Sequence, residues 1–447
     1  MRLIFGLMAA VSGISAGVLP ASAAPAPVPG GAPSAAEARM VATVDAEQAR
    51  TLRFLETVVN QNSGTRNLDG VRKVRDLVAP EFTALGFTER WIPMEQTGRA
   101  GHLVLSHAGR KGTKRLLLIG HLDTVFEPDS PFQTYVRQGD KATGPGVGDD
   151  KGGIAVMLAA LRAMQAAGTL RGANITIVLT GDEEESGAPV ELARADLVAA
   201  ARAADVALDF EGLSRENGQD MGSIARRSSQ SWTLTVEAKS GHSSGVWSAG
   251  AGDGAIYAAA RIVEGFRTEL PAPNLTLNVG LIAGGAEAEV AADNAHVAAQ
   301  GKTNIIAGRA VARGDLRTLS PAQNAEAMRR MEAIVARPYP GVTAAKITFS
   351  EGYPPMAPTP GNQALLARLN AVNAALGLPA MPPLDPMKRG AGDISFVAQY
   401  VDGLVGLGPY STGDHAPGET VDVPSLWTQA KRAALLMSRL SAERSAR

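Results

Sequence analysis

Cysteine is absent from all 447 residues, which excludes a disulfide framework and, after an export signal, a lipid-anchored thiol. Excess charge of either sign is also missing, since 43 Lys and Arg stand against 44 Asp and Glu. No basic stretch is dense enough to follow a nucleic-acid backbone or an anionic membrane surface. Long apolar runs are missing beyond the N-terminus, so nothing else approaches the roughly 20 residues of a transmembrane helix. The one such run, Leu3 to Leu19, follows Met1-Arg2 and precedes Ala21-Ser22-Ala23. It is too short and too poorly flanked for a permanent span, and it has the pattern of a signal peptide over residues 1–23 with a small-residue cleavage site. The expectation is an exported protein, periplasmic or secreted, whose stability must come from its core. What remains of the chain is long enough for a core in each of two domains.

Residues 24–40 are rich in Ala, Pro and Gly and read as a disordered lead-in. Leu116 to Ile119 is a short buried strand, Gly153 to Ala167 an apolar helix, and Ile175 to Leu179 a second strand. Strand, helix and strand in succession predict an α/β fold with a mainly parallel sheet. Trp232 to Ala238 alternates strictly between apolar and polar, as a strand with one wet face does in an antiparallel sheet. Helices are expected at about Gly254 to Phe266 and Pro321 to Ala336, the second capped by Ser320 with proline at its first position. The reading is a catalytic domain over 41–225 and 353–447, interrupted by an inserted α+β domain over 226–352.

Five segments carry metal-ligating residue types: Gly120-His121-Leu122-Asp123, Gly148-Asp149-Asp150-Lys151, Asp182-Glu183-Glu184, Asp209-Phe210-Glu211 and His415-Ala416-Pro417-Gly418-Glu419. Together they supply two imidazoles, three carboxylate ligands and a glutamate beside a ligand glutamate, the inventory of a hydrolytic two-metal site. Most fall just past predicted strands, where open α/β sheets place their sites. Alone, Asp182 to Glu185 is an ordinary solvated acidic turn, and His102, His107 and His296 have no motif around them. The glycines of 144–148 do not form a phosphate loop, because Lys151 is followed by Gly rather than Ser or Thr.

In order and in local wording these segments resemble the M20 metallopeptidases, the clan of glutamate carboxypeptidases, aminoacylases and dipeptidases, from about Glu47 to the C-terminus. The resemblance implies that Asp149 bridges two divalent ions, most commonly zinc. His121 and Glu211 would complete one ion, and Glu184 and His415 the other. Asp123 would orient the His121 ring, Glu183 would take the proton of the attacking water, and the peptide Asp149–Asp150 would be cis.

Gly241-His242-Ser243-Ser244-Gly245 admits two readings. As G-x-S-x-G it is a nucleophile elbow with Ser243 attacking and His415 as base. The preceding strand is half wet, however, and no HGGG motif is present. In the family a histidine in such a turn reaches from the insert to the scissile carbonyl, so His242 is expected to stabilise an oxyanion in the neighbouring subunit of a homodimer formed through the insert. Asn304 and Arg317 resemble family residues that hold the substrate carboxylate, the alternative for Arg317 being a surface ion pair with Asp315. Glu351-Gly352-Tyr353 stands where glutamate-releasing members carry arginine, and Arg389 is a candidate replacement donor. The implied activity is hydrolysis of an amide bond beside a free carboxylate. Carboxypeptidase, dipeptidase and N-acyl-amino-acid amidohydrolase all remain open, with small peptides or N-acyl amino acids as substrates.

Overall fold

The computed structural model describes residues 33–292 and 294–446. The expected signal peptide lies outside them. A six-stranded mixed sheet organises the first unit. Its strands follow the order Thr88–Pro93, Gly101–His107, Asn174–Thr180, Arg115–His121, Val206–Asp209 and Gly403–Leu404. The last three pairings in that order are parallel and the first two antiparallel.

The Arg115–His121 strand shows why its sequence is continuously apolar. Leu116 and Leu118 enter one core, Leu117 and Ile119 the core on the opposite face. A strand buried on both faces has no polar positions to alternate with. On one side lies the helix Lys151–Ala166, buried from Lys151 through Met164, with Ala35–Ala46 and Val423–Ala442 packed over it. On the other lie the shorter helices Ala195–Ala203 and Ile394–Val397.

The lead-in reading needs correction at its C-terminal end. A helix begins at Ala35, where Ser34 and Glu37 form a reciprocal capping box. Two otherwise orphaned backbone donors are thereby satisfied, and Glu37 also pairs with Arg439 Nε at 2.7 Å. Composition alone hid this, because the proline-rich stretch ends at Pro33 while the alanines continue into good helix former.

A separate four-stranded antiparallel sheet, in the order Thr276–Gly285, Arg309–Arg317, Gln230–Ala238 and Val342–Phe349, forms with the helices Ala255–Glu269 and Pro321–Val335 a second core. Trp232, Leu234 and Val236 point into it, as the alternation requires. Two short extended segments join the units. Arg226 exchanges backbone hydrogen bonds with Met356, and Ser229 with Tyr353. Among the described residues no helix is long and apolar enough to cross a membrane.

Candidate metal centre

The parallel strands deliver their C-terminal ends to one edge, and the cluster gathers there. His121 closes its strand and is buried. Its Nδ1 lies 3.1 Å from the backbone oxygen of Asp123 and 3.4 Å from that residue's carboxylate. Nδ1 is therefore the protonated nitrogen, and Nε2 is turned to Asp149 Oδ1 at 3.0 Å. Asp149 Oδ2 faces His415 Nε2 at 3.1 Å, and the same nitrogen is 3.2 Å from Glu184 Oε2. Each oxygen of one carboxylate thus addresses a different imidazole. The peptide Asp149–Asp150 is cis.

Asp123 does more than face a ring. Its carboxylate accepts from the backbone N–H groups of Glu183 and Glu184 at 3.0 and 3.2 Å and from Thr65 Oγ1 at 2.7 Å. The same group that orients His121 therefore sets the register of the Asp182–Glu184 turn. Glu419, quoted in the sequence without a role, performs the equivalent task for Asp149. It is fully buried, and its carboxylate accepts from the N–H groups of Gly146, Gly148 and Asp149 at 2.9, 2.7 and 3.0 Å. The His415 loop and the Asp149 loop are fixed to each other through it. His415 itself lies in the left-handed region, with φ 65°, a conformation uncommon outside glycine that needs a loop closed around it.

The electrostatics follow from crowding carboxylates out of water. Burial pushes Glu183 well above the usual carboxylate range, and the charge of Glu211 pushes the same way. Glu184 is raised by burial and then by Asp149. Burial alone would lower the His121 ring, but Asp123 and Asp149 outweigh it and hold the ring well above the ordinary histidine value.

The donor set passes a geometric test for such an ion. Donor atoms of His121, Asp149 and Glu184 all lie within 4.8 Å of one another. Tetrahedral zinc with ligands at about 2.0–2.2 Å requires ligand–ligand separations of about 3.4 Å, close to the 3.0 Å between His121 and Asp149 and to the 3.1 and 3.2 Å from His415 to Asp149 and Glu184.

Glu211 stands apart from that group. Its Oε2 is 2.6 Å from Arg226 Nη1 and 3.4 Å from Arg389 Nη2. Arg389 also donates to the oxygen of Gly212 at 2.8 Å. Its reading as a donor to substrate is corrected accordingly, because the guanidinium is turned inward onto Glu211. Arg226 was invisible in the sequence, where it is one arginine of a linker doublet.

In the insert, Asn304 and His242 are neighbours. The Ser243 N–H donates to the Asn304 oxygen at 2.9 Å, and His242 pairs with Ile305 across a two-residue ladder. His242 is exposed, and its Nδ1 accepts from the Ser244 N–H at 3.2 Å, leaving Nε2 to carry the proton outward. None of the contacts found for it among the described residues reaches the cluster of its own chain. Arg317 Nε makes the 3.0 Å pair with Asp315, and a side chain at Gly390 would sit 3.7 Å from its Nη1, which places it against the loop that carries Arg389.

The nucleophile-elbow reading of Ser243 fails. The residue opens a single 3-10 turn after a two-residue antiparallel strand, without the buried parallel strand and following helix that an elbow needs. His102, buried, takes the Gly181 N–H on Nδ1 at 3.2 Å and so donates from Nε2 to the Ala193 oxygen at 2.7 Å. It is a structural group.

A cluster of this kind, three mutually close donors with a further carboxylate beside them, suits divalent cations. The model of peptidase family M20/M25/M40 matches residues 117–439, and the chain belongs to that family. It is 34% identical over 173 residues to carboxypeptidase G2 of Pseudomonas sp. (strain RS-16), a match spanning 38% of this chain and 40% of that protein's length. It is 28% identical over 342 residues to succinyl-diaminopimelate desuccinylase of Gluconobacter oxydans (strain 621H), covering 74% and 84%. Its fold is similar to that of a tripeptidase from Staphylococcus aureus subsp. aureus Mu50, with TM-score 0.68 at 19% identity, covering 89% of this chain and 99% of that one. Human carnosine dipeptidase 1 is similar in fold at TM-score 0.61 and 16% identity, covering 92% and 99%.

Proposed function

We propose that the protein is an exported hydrolase that cleaves an amide bond beside a free carboxylate, as a carboxypeptidase or dipeptidase, with two zinc ions per chain. The observation that carries the reading is the placement of Glu183. It sits next to the donor cluster, is pinned through its own N–H to Asp123, and has a carboxyl raised by burial, as a base that works near neutral pH needs.

His121, Asp149 and Glu211 would hold one ion, and Asp149, Glu184 and His415 the other. When bound, the ions supply an acidified water and a Lewis acid for the scissile carbonyl. Glu183 accepts the water's proton and delivers it to the leaving amine. Arg226 and Arg389 hold the Glu211 carboxylate in place. Asn304 and Arg317 bind the substrate carboxylate, the Arg317 fork exchanging Asp315 for it.

His242, whose contacts among the described residues are local to the insert, serves the site of a second copy and steadies the oxyanion there. Ile256, Tyr257 and Ile282 are about half exposed on the insert, and Thr276–Gly285 is an edge strand of its sheet. Both features suit a homodimer interface formed through the insert, which would then act as a lid. N-acyl-amino-acid hydrolysis is the second reading, favoured by the long match to desuccinylases.

Dipeptides and N-acyl amino acids, each as acid and as C-terminal amide, separate these readings by product analysis. Amidation is expected to lower kcat/KM more than tenfold, about 1.4 kcal/mol or more for one lost charge-assisted hydrogen bond. Arg317→Ala should make acid and amide nearly equivalent. Equal turnover of acid and amide by the wild type refutes carboxylate recognition, and full activity after exhaustive chelation refutes the metal-dependent reading.

A further inference from the structure

The segment Glu351-Gly352-Tyr353, where the chain returns from the insert, has no part in the chemistry above, yet it touches both the Glu183 turn and the start of the short helix that follows it. Glu351 Oε2 accepts from the Val190 N–H at 2.8 Å. The Tyr353 hydroxyl donates to the backbone oxygen of Glu183, lies 2.7 Å from Ser186 Oγ, and accepts from Arg194 Nη2 at 3.1 Å. Arg194 is itself fully buried between Asp182 and Asp393, at 2.6 and 2.8 Å. The backbone of Tyr353 meanwhile exchanges two hydrogen bonds, of 3.0 and 2.9 Å, with Ser229 on the other connecting segment. One residue thus belongs to the junction through its main chain and to the Glu183 turn through its hydroxyl.

The Glu183 peptide is gripped on both sides, its N–H by Asp123 and its carbonyl by Tyr353. A cleft of about 520 Å³ lies behind the Tyr353 ring, between the helix Pro321–Val335 of the insert and Gln399 of the first unit. The cleft separates the two units beside the junction that joins them.

We propose that Tyr353 is a positioning residue for Glu183, tying the junction of the insert to the catalytic turn so that the base is aligned according to the position of the insert. The inference rests on the reading of Glu183 as the base. Tyr353 acts through the backbone of Glu183, so its hydroxyl affects the chemical step and leaves ground-state binding alone.

The test uses the full-length, zinc-loaded protein and whichever dipeptide or N-acyl amino acid it turns over fastest. Tyr353→Phe should lower kcat tenfold or more, with KM within twofold of wild type and with zinc content and melting temperature kept. Ser186→Ala, which leaves the bond to Glu183 in place, should stay within twofold in kcat. The assignment is overturned by a Tyr353→Phe kcat within twofold of wild type, by a loss that tracks zinc content, by failure of that variant to fold, or by an equal loss in Ser186→Ala. Glu183→Gln in the same assay keeps the two levels distinct. If it remains active, the reading of the base fails, whereas an inert Glu183→Gln beside an unimpaired Tyr353→Phe removes only the role of the tyrosine.

Discussion

At the scale of single residues, the site separates groups that would hold ions from one that would move a proton. His121 and Asp149 face each other at 3.0 Å, so removing either imidazole or carboxylate would empty a candidate ligand position. Glu183 is adjacent but is not among the mutually close donors His121, Asp149 and Glu184. Glu183→Gln is therefore expected to abolish turnover, by a factor of about 10² or more for a lost general base, while elemental analysis finds nearly wild-type metal. His121→Ala should lose metal and activity together. Equal metal loss in the two variants would make Glu183 a ligand. The mutually close donors His121, Asp149 and Glu184 were legible because each stands in a short word that spacing and residue type can flag. Arg226, Arg194 and the carboxylate of Glu419 were not, since their roles depend on partners from 12 to 273 residues away in sequence, and nothing local marks an arginine as buried.

Elements are placed by contacts just as particular. The strand that ends in His121 is moored at its other end by Asp205, whose carboxylate accepts from the Arg115 N–H at 2.9 Å, from Arg115 Nε at 3.0 Å and from Ser445 Oγ at 3.0 Å. Burial would raise this carboxyl, but the Arg115 hydrogen bonds outweigh it and hold it below the usual range. A depressed folded value means that the contribution is fully present above the unfolded value of about 3.9 and is lost as pH falls through the folded one. Asp205→Asn should thus destabilise the protein at pH 7 by about 1–2 kcal/mol, a modest figure because Arg115 is partly exposed and solvent-screened. Urea midpoints of variant and wild type should converge as pH drops from 5 past 4, and a gap constant with pH would refute the linkage. The buried strands and the alternating Trp232 strand were readable from hydrophobic period. The helix at Ala35–Ala46 was not, because its signal is a four-residue cap in a stretch whose composition argues for disorder.

For the whole molecule, the issue is whether one chain suffices. His242 is exposed and its contacts among the described residues are local to the insert, and Glu183→Gln and His242→Ala should each be nearly inactive alone. If His242 serves a partner, random co-assembly makes half the dimers mixed, each with one intact and one doubly defective site. Co-expression should then restore about a quarter of wild-type activity, and mixed dimers as inactive as either parent would confine His242 to its own chain. The Glu419 carboxylate on the backbone of Gly146, Gly148 and Asp149 has a further consequence, one of timing. The loop that carries Asp149 emerges from the ribosome about 270 residues before the group that fixes it; at about 5–20 residues per second that is an interval of roughly 14–54 seconds. Until then the nascent chain holds His121, Asp149 and Glu183 without His415 or Glu419. The site stays unassembled until nearly the last of the family-matched region has been made, and a hydrolase built this way comes into existence late in its own synthesis.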